Sequence, residues 1–188
     1  KLTLAAGNTG NVYIGQVGAP NNCHNDIEYS SGGASSIQVD GGNLFVNGQI
    51  RRNPSNAAGI LQYSQSGGAV RIYGRNCVAP YNDNAKLEVL NNGSQFSMSG
   101  GTLTIVRGNG GSFGDLYLRP QTGSVTGGTI TFSPLAAIGA NQIYQVDADI
   151  PLNNVTITGI DAANKATIQL MVSSLVLNGN LNITNTNS

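Results

Sequence analysis

The side chains that could do chemistry in this sequence are few and scattered. His24 is the only histidine, and it sits in the polar stretch Asn21-Asn22-Cys23-His24-Asn25. A Ser-His-Asp triad would have to use it, with Asp26, Ser35 and Ser36 close in sequence, yet neither serine sits in a G-x-S-x-G elbow or another local signature. A solvated loop histidine is the simpler reading. Cys23, His24 and Cys77 offer three soft ligands at most, and a Cys-His pair followed 53 residues later by Cys matches no zinc pattern. Asp147 and Asp149 alternate along an extended segment, so both carboxylates point the same way about 6 to 7 Å apart. Such a pair suits acid/base work or, with Asp161 in the following turn, calcium. Without a D-x-D-x-D-G loop, a corner closed by Pro151 with solvated acids explains the segment better. No catalytic residue, metal or cofactor is expected.

Composition narrows the class further. Only 10% of the 188 residues are charged, against roughly 25% in an ordinary soluble domain. Gly (26) and Asn (24) fill 50 positions, with 6% aromatics and no Trp. Gly is costly inside helices and Asn competes for its own backbone, so long helices are excluded. Nine basic and nine acidic residues cancel, which leaves no electrostatic footprint for nucleic acid or anionic lipid. No run approaches the ~18 to 20 apolar residues of a transmembrane helix. Lys1 to Ala6 reads as a strand and lacks the apolar core of a signal peptide. With no capping helix at either end, residues 1–188 read as a single structural segment of a longer chain, with flanking domains as its first partners.

The elements that must position any site are written in a repeat. An alternation x-Φ-x-Φ, with Φ apolar or Tyr, starts at Lys1, Asp26, Ile60, Lys86, Asp115, Gln142 and Thr167. The starts are 25, 34, 26, 29, 27 and 25 residues apart, the outlier being assigned to an insertion around Ser30 to Asp40. A second alternation begins at Asn11, Asn43, Ala69, Thr102, Thr129, Asn154 and Asn180. A third, shorter strand at Ile37-Gln38-Val39 and Phe96-Ser97-Met98 would give three sheets around one axis. Glycine pairs at Gly41-Gly42, Gly67-Gly68, Gly100-Gly101 and Gly127-Gly128 precede the second strand and mark bends.

One such coil cannot bury its few Leu, Ile and Val side chains, whereas stacked coils can. The periodicity therefore predicts an all-β, right-handed parallel β-helix of about seven coils of 25–29 residues, parallel crossovers being right-handed in nearly every case. A sandwich or barrel would show strands at 8 to 12 residue spacing without matching long-range positions. The first alternation predicts one interior column, Leu2, Ile27, Leu61, Leu87, Leu116, Ile143 and Ile168, with Val146 as the next inward residue of a bulged sixth copy. Lys1 is expected on Asp26 and Lys86 on Asp115 as exposed cross-strand pairs. Cys23 and Cys77 fall in loops two coils apart, about 10 Å of rise, so a disulfide between them requires the loops to lean together.

On the outer surface, Thr102 and Thr104, Thr129 and Thr131, and Thr156 and Thr158 recur at intervals of 27. Such a T-x-T row could order water as an ice-binding surface or present hydroxyls to a polysaccharide, although Thr is also simply a good strand former. Tyr73 and Tyr117 with Arg71 and Arg119 are the better candidates for a glycan or protein partner. Aromatic faces stack on sugar rings, and Arg bonds in a bidentate fashion.

The stretches Gly41-Gly-Asn-Leu-Phe-Val-Asn-Gly48, Gly100-Gly-Thr-Leu-Thr-Ile105 and Leu177-Asn-Gly-Asn-Leu-Asn-Ile-Thr184 resemble the coils of right-handed parallel β-helix proteins. In style they are similar to surface proteins and adhesins of Bacteroidota exported by the type IX secretion system. The resemblance implies a secreted or cell-surface location and a structural or adhesive role contacting a glycan or protein. No C-terminal sorting domain is recognisable. Polysaccharide lyases and hydrolases share the scaffold and form the alternative, but their paired acids with a Lys, Arg or His base are not matched here.

Overall fold

Short strands whose side chains alternate inward and outward need neighbours above and below them, and the chain supplies these by winding. The computed structural model describes residues 1–15, 25–30, 33–74, 85–134, 141–159, 165–171 and 174–184. Strand makes up 61% and no helix occurs among the described residues, so the chain is all-β, a parallel solenoid of about five turns. Each turn presents three faces.

Face 1 is built from β1 (Leu2–Leu4), β4 (Ser35–Val39), β7 (Leu61–Gln65) and the middles of two long bent strands, β9 (Leu87–Ile105) and β10 (Leu116–Phe132). Face 2 carries β2 (Asn11–Ile14), β5 (Asn43–Val46), β8 (Ala69–Ile72), the ends of β9 and β10, β12 (Asn154–Thr158) and β14 (Leu181–Thr184). Face 3 carries β3 (Ile27–Tyr29), β6 (Ile50–Arg52), the starts of β9 and β10, β11 (Gln142–Ala148) and β13 (Ala166–Leu170). Five turns have all three faces. Beyond them face 1 shrinks to a single bridge between Leu152 and Leu177 while faces 2 and 3 continue.

The second alternation is face 2 in full. Val12, Leu44, Val70, Leu103, Ile130, Val155 and Leu181 stand in one registered column. On four of its seven rungs the corner from face 1 is a glycine pair, whose second member has positive φ: +63° at Gly42 and Gly68, +77° at Gly101 and Gly128. A Cβ on Gly101 would come within 2.4 Å of the Gly67 carbonyl oxygen, so the stacked corners fit only if both carry glycine.

The single interior column of the first alternation is not what forms. Its members divide between two faces. On face 3 the column is Ile27, Ile50, Leu87, Leu116, Val146 and Leu170. On face 1 it is Leu2, Ile37, Tyr63, Phe96 and Gly123, and Leu61 lies opposite Ser35 rather than Ile27 or Leu87. Ile143 is 42% exposed and points outward, while Tyr144 and Val146 are buried. Val146 points inward as expected, but beside Leu116 rather than in the second inward place, which Ala148 takes opposite Leu118, and Ile168 pairs with Tyr144 instead of Ile143. The physical reason is aliasing: both faces carry Φ-x-Φ, and the corners between them differ in length. The segment around Ser30 to Asp40 is accordingly no insertion but contains β4, with Ile37 and Val39 inward, and Phe96 and Met98 continue the same face.

The interior is closely filled. Tyr63 stacks on Phe96 at 5.1 Å and 8°, and Phe132 meets Tyr144 at 5.3 Å. Their polar ends are satisfied inside, Tyr63 donating to Gln65 Oε1 at 2.7 Å and Tyr144 to the Val106 carbonyl at 2.9 Å. Burial raises both phenol pKa values far above the ordinary range.

Candidate functional site

Three outer surfaces result, and they differ in chemistry. On face 3 the strands bring charged residues into columns. Glu28, Arg51, Glu88, Tyr117 and Asp147 succeed one another along the axis. Residues of one column sit about 4.8 Å apart, so like charges would repel and alternation neutralises them. Arg51 holds Asp26 at 2.7 Å and Glu28 at 2.9 Å, Arg52 holds Glu88 at 3.2 Å, Lys86 lies 3.9 Å from Asp115, and Arg119 holds Asp147 at 3.1 Å. Several are fully enclosed: Lys86, Glu88 and Asp115 have no exposed surface, and Arg51 and Asp147 almost none. Phe113 helps to cover them, with the Arg52 guanidinium 5.1 Å over its ring and Tyr117 edge-on at 5.3 Å.

The expected Lys86 and Asp115 pair therefore forms, but buried rather than exposed. The expected Lys1 and Asp26 pair does not, because Asp26 belongs to Arg51 and Lys1 borders face 1 beside Ser36. Burial drives the Asp115 carboxyl up to about 6, against the pull of Lys86. It drives Lys86 down to about 8, with Asp115 opposing and Arg107 adding to the shift. Asp147 and Asp149 do not act as a pair: Asp147 is buried on Arg119 and Asp149 is exposed at the corner. Among the described residues no group of three or more His, Cys, Asp and Glu is arranged for a metal ion. Cys23, His24, Cys77 and Asp161 lie outside the described residues.

Face 2 divides along the axis. Its upper rungs place Tyr13, Phe45 and Arg71 in one outward column, where Tyr13 stacks on Phe45 at 5.0 Å and the Arg71 guanidinium lies 5.8 Å from the Phe45 centroid. Tyr73 borders this group, half-buried. Its lower rungs form a hydroxyl and amide lattice, with Thr102 beside Thr129 beside Asn154, and Thr104 beside Thr131 beside Thr156. The interval of 27 thus misplaces the third copy by one step: Thr156 is the neighbour of Thr131, not of Thr129, and Thr158 bonds Thr184 at 3.0 Å. Tyr117 and Arg119 lie away from this surface, on face 3, with the Arg119 guanidinium 5.7 Å from the Tyr117 ring and committed to Asp147. The ten expected contact residues therefore fall in three places: Arg71 and Tyr73 on the upper rungs of face 2, the six threonines on its lower rungs, and Tyr117 with Arg119 on face 3.

The third strand expected at Ile37-Gln38-Val39 and Phe96-Ser97-Met98 forms face 1, but its outer surface was not singled out from the sequence. Its outward residues form two registered columns: Ser36, Gln62, Gln95 and Thr122; then Gln38, Ser64, Ser97 and Ser124. Asp40, Ser66, Ser99 and Thr126 follow at the edge, where the register slips and Ser99 lies opposite Gly127. Two depressions indent it, one of about 210 Å³ from Lys1 to Gln95 and one of about 120 Å³ from Asp40 to Thr126, and both are lined by Ser64. Asp40 is occupied, accepting from Gln38 Nε2 at 2.6 Å and from Ser66 Oγ at 2.5 Å. The signal was present as the polar partner of the apolar alternation, in Gln62-Tyr-Ser-Gln-Ser66, Gln95-Phe-Ser-Met-Ser99 and Thr122-Gly-Ser-Val-Thr126.

No family model, curated protein or solved structure matches the chain.

Proposed function

We propose that this chain is a non-catalytic structural and adhesive segment of a secreted or cell-surface protein, contacting glycans or partner proteins through its outer faces. The observation that carries the reading is the sorting of polar groups by face. Neutral hydroxyls and amides stand in registered, outward-facing columns on faces 1 and 2, half-buried to exposed, while the acids and bases of face 3 are spent on one another. A surface of that kind offers many weak hydrogen bonds without a reactive pair. The resemblance to exported β-helix adhesins of Bacteroidota supports the same assignment of location and role.

The test is incubation with a panel of polysaccharides, followed for retention of the protein and for products. The reading expects retention on a glycan or on a cell-surface protein with no new reducing ends and no ultraviolet-absorbing products. Either product would instead establish a hydrolase or a lyase on this scaffold. The registered Thr lattice of face 2 supports one second reading, ice binding, which a thermal hysteresis gap in a cooled sample would promote.

A further inference from the structure

Building on that reading, we infer that face 1 takes a single neutral polysaccharide chain laid along the solenoid axis, in the trough that its two depressions share at Ser64. The direction follows from the register. Gln62 lies beside Gln95, and Ser64 beside Ser97 beside Ser124, so a polymer crossing the strands meets the same kind of group at each step of about 4.8 Å. A ligand running along one strand would meet only three such groups, Gln62, Ser64 and Ser66, before the glycine corner at Gly67.

The chemistry follows from the side chains. Serine hydroxyls and glutamine amides each donate and accept, as sugar hydroxyls do. The side chains of Ser64, Ser124, Gln62 and Gln95 make no hydrogen bond to the described protein, so their capacity is open to a ligand. The trough has one acid, Asp40, at its rim with both oxygens engaged, and one base, Lys1, at its end. A uronic or sulfated polymer would find no row of cations there, whereas a neutral one forfeits nothing. The trough is also rigid, because Ile37, Tyr63 and Phe96 beneath it are buried and stacked, which lowers the ordering cost of binding. Long glutamine side chains and an indented floor suit a sugar chain better than the flat lattice of ice.

The experiment is affinity electrophoresis of the whole chain in gels containing glucomannan, mixed-linkage β-glucan or dextran, with pectate as the charged comparison. Three variants run beside it: Gln62→Ala with Gln95→Ala, Ser97→Lys, and Thr131→Lys on face 2, each with its melting curve. The trough predicts retardation by a neutral polymer, stronger competition from longer oligosaccharides, and binding about tenfold weaker when the two exposed amides are removed. Melting temperature should be unchanged in that double variant, and Thr131→Lys should bind like the parent. Retardation that survives both trough variants, or is lost in Thr131→Lys, overturns the trough while leaving an adhesive role standing. Retardation by pectate alone overturns the neutral ligand. No retardation by any polymer overturns the trough, and the adhesive reading then rests on protein partners. Release of reducing ends overturns the non-catalytic reading itself.

Discussion

Lys86 and Asp115 meet in a fully enclosed site, and the cost of enclosing them sets their titration. Asp115 is raised to about 6 by burial and Lys86 lowered to about 8 by burial. A carboxyl whose folded value exceeds its ordinary one favours folding at low pH and loses that contribution as pH rises through about 6. An ammonium below its ordinary value contributes at high pH and loses it as pH falls through about 8. Between the two both groups are charged and each depends on the other. Lys86→Met should therefore cost about 3 to 5 kcal/mol at pH 7 by stranding a buried carboxylate. Urea unfolding should show that loss shrinking at pH 5, where the carboxyl takes a proton. The double change Lys86→Met with Asp115→Leu should be at least as stable as the parent at pH 7. A Lys86→Met deficit independent of pH would show that the pair is not what the substitution breaks.

At the scale of the strand and the corner, the register makes two sharp contrasts. Leu87 and Leu116 are neighbours with no exposed surface, so Leu87→Asp or Leu116→Asp should bury an unpaired charge and abolish cooperative unfolding. Ile143→Asp, at an outward position of the same repeat, should melt close to the parent. Equal damage from all three in a thermal melt would restore the single-column register. Gly101→Ala should cost more than ~1 kcal/mol, since positive φ and the Gly67 oxygen both oppose a side chain. Gly7→Ala, at φ +76° with nothing within 4 Å of the added carbon, should lose less, and a reversal of that order in denaturant midpoints would contradict the stacked-corner account. The glycine pairs and the Asn, Ala and Thr starts of face 2 were legible because a fixed corner precedes four of its seven rungs and keeps the phase. Faces 1 and 3 were not separable in the same way. Leu61 and Leu87 carry the same local pattern, and only pairing distinguishes them. The polar trough was overlooked for a related reason: serine and glutamine opposite a core residue look like ordinary solvent-facing filler until their neighbours along the axis are known.

Across the whole molecule, stability should be graded along the axis. The β9 and β10 strands run side by side through all three faces, and their interior residues Leu103, Ile105, Leu116 and Ile130 are buried to within 1%. At the last rung Leu181 and Ile183 are 54% and 60% exposed. Hydrogen exchange in residues 1–188 should therefore be slowest at the central amides and fastest in β14, because each turn leans on the next and β14 pairs only with β12 among the described strands. Uniform protection from β2 to β14 would argue against a stack that behaves as a one-dimensional array.

All of these expectations depend on which residues sit above one another, and nuclear Overhauser contacts in the unmodified protein report that directly. The three-faced register predicts a contact between the Tyr63 and Phe96 rings, 5.1 Å apart, together with backbone contacts linking Ile50 to Leu87 and Leu87 to Leu116. Backbone contacts joining Leu61 to Leu87, with none between Tyr63 and Phe96, would contradict it.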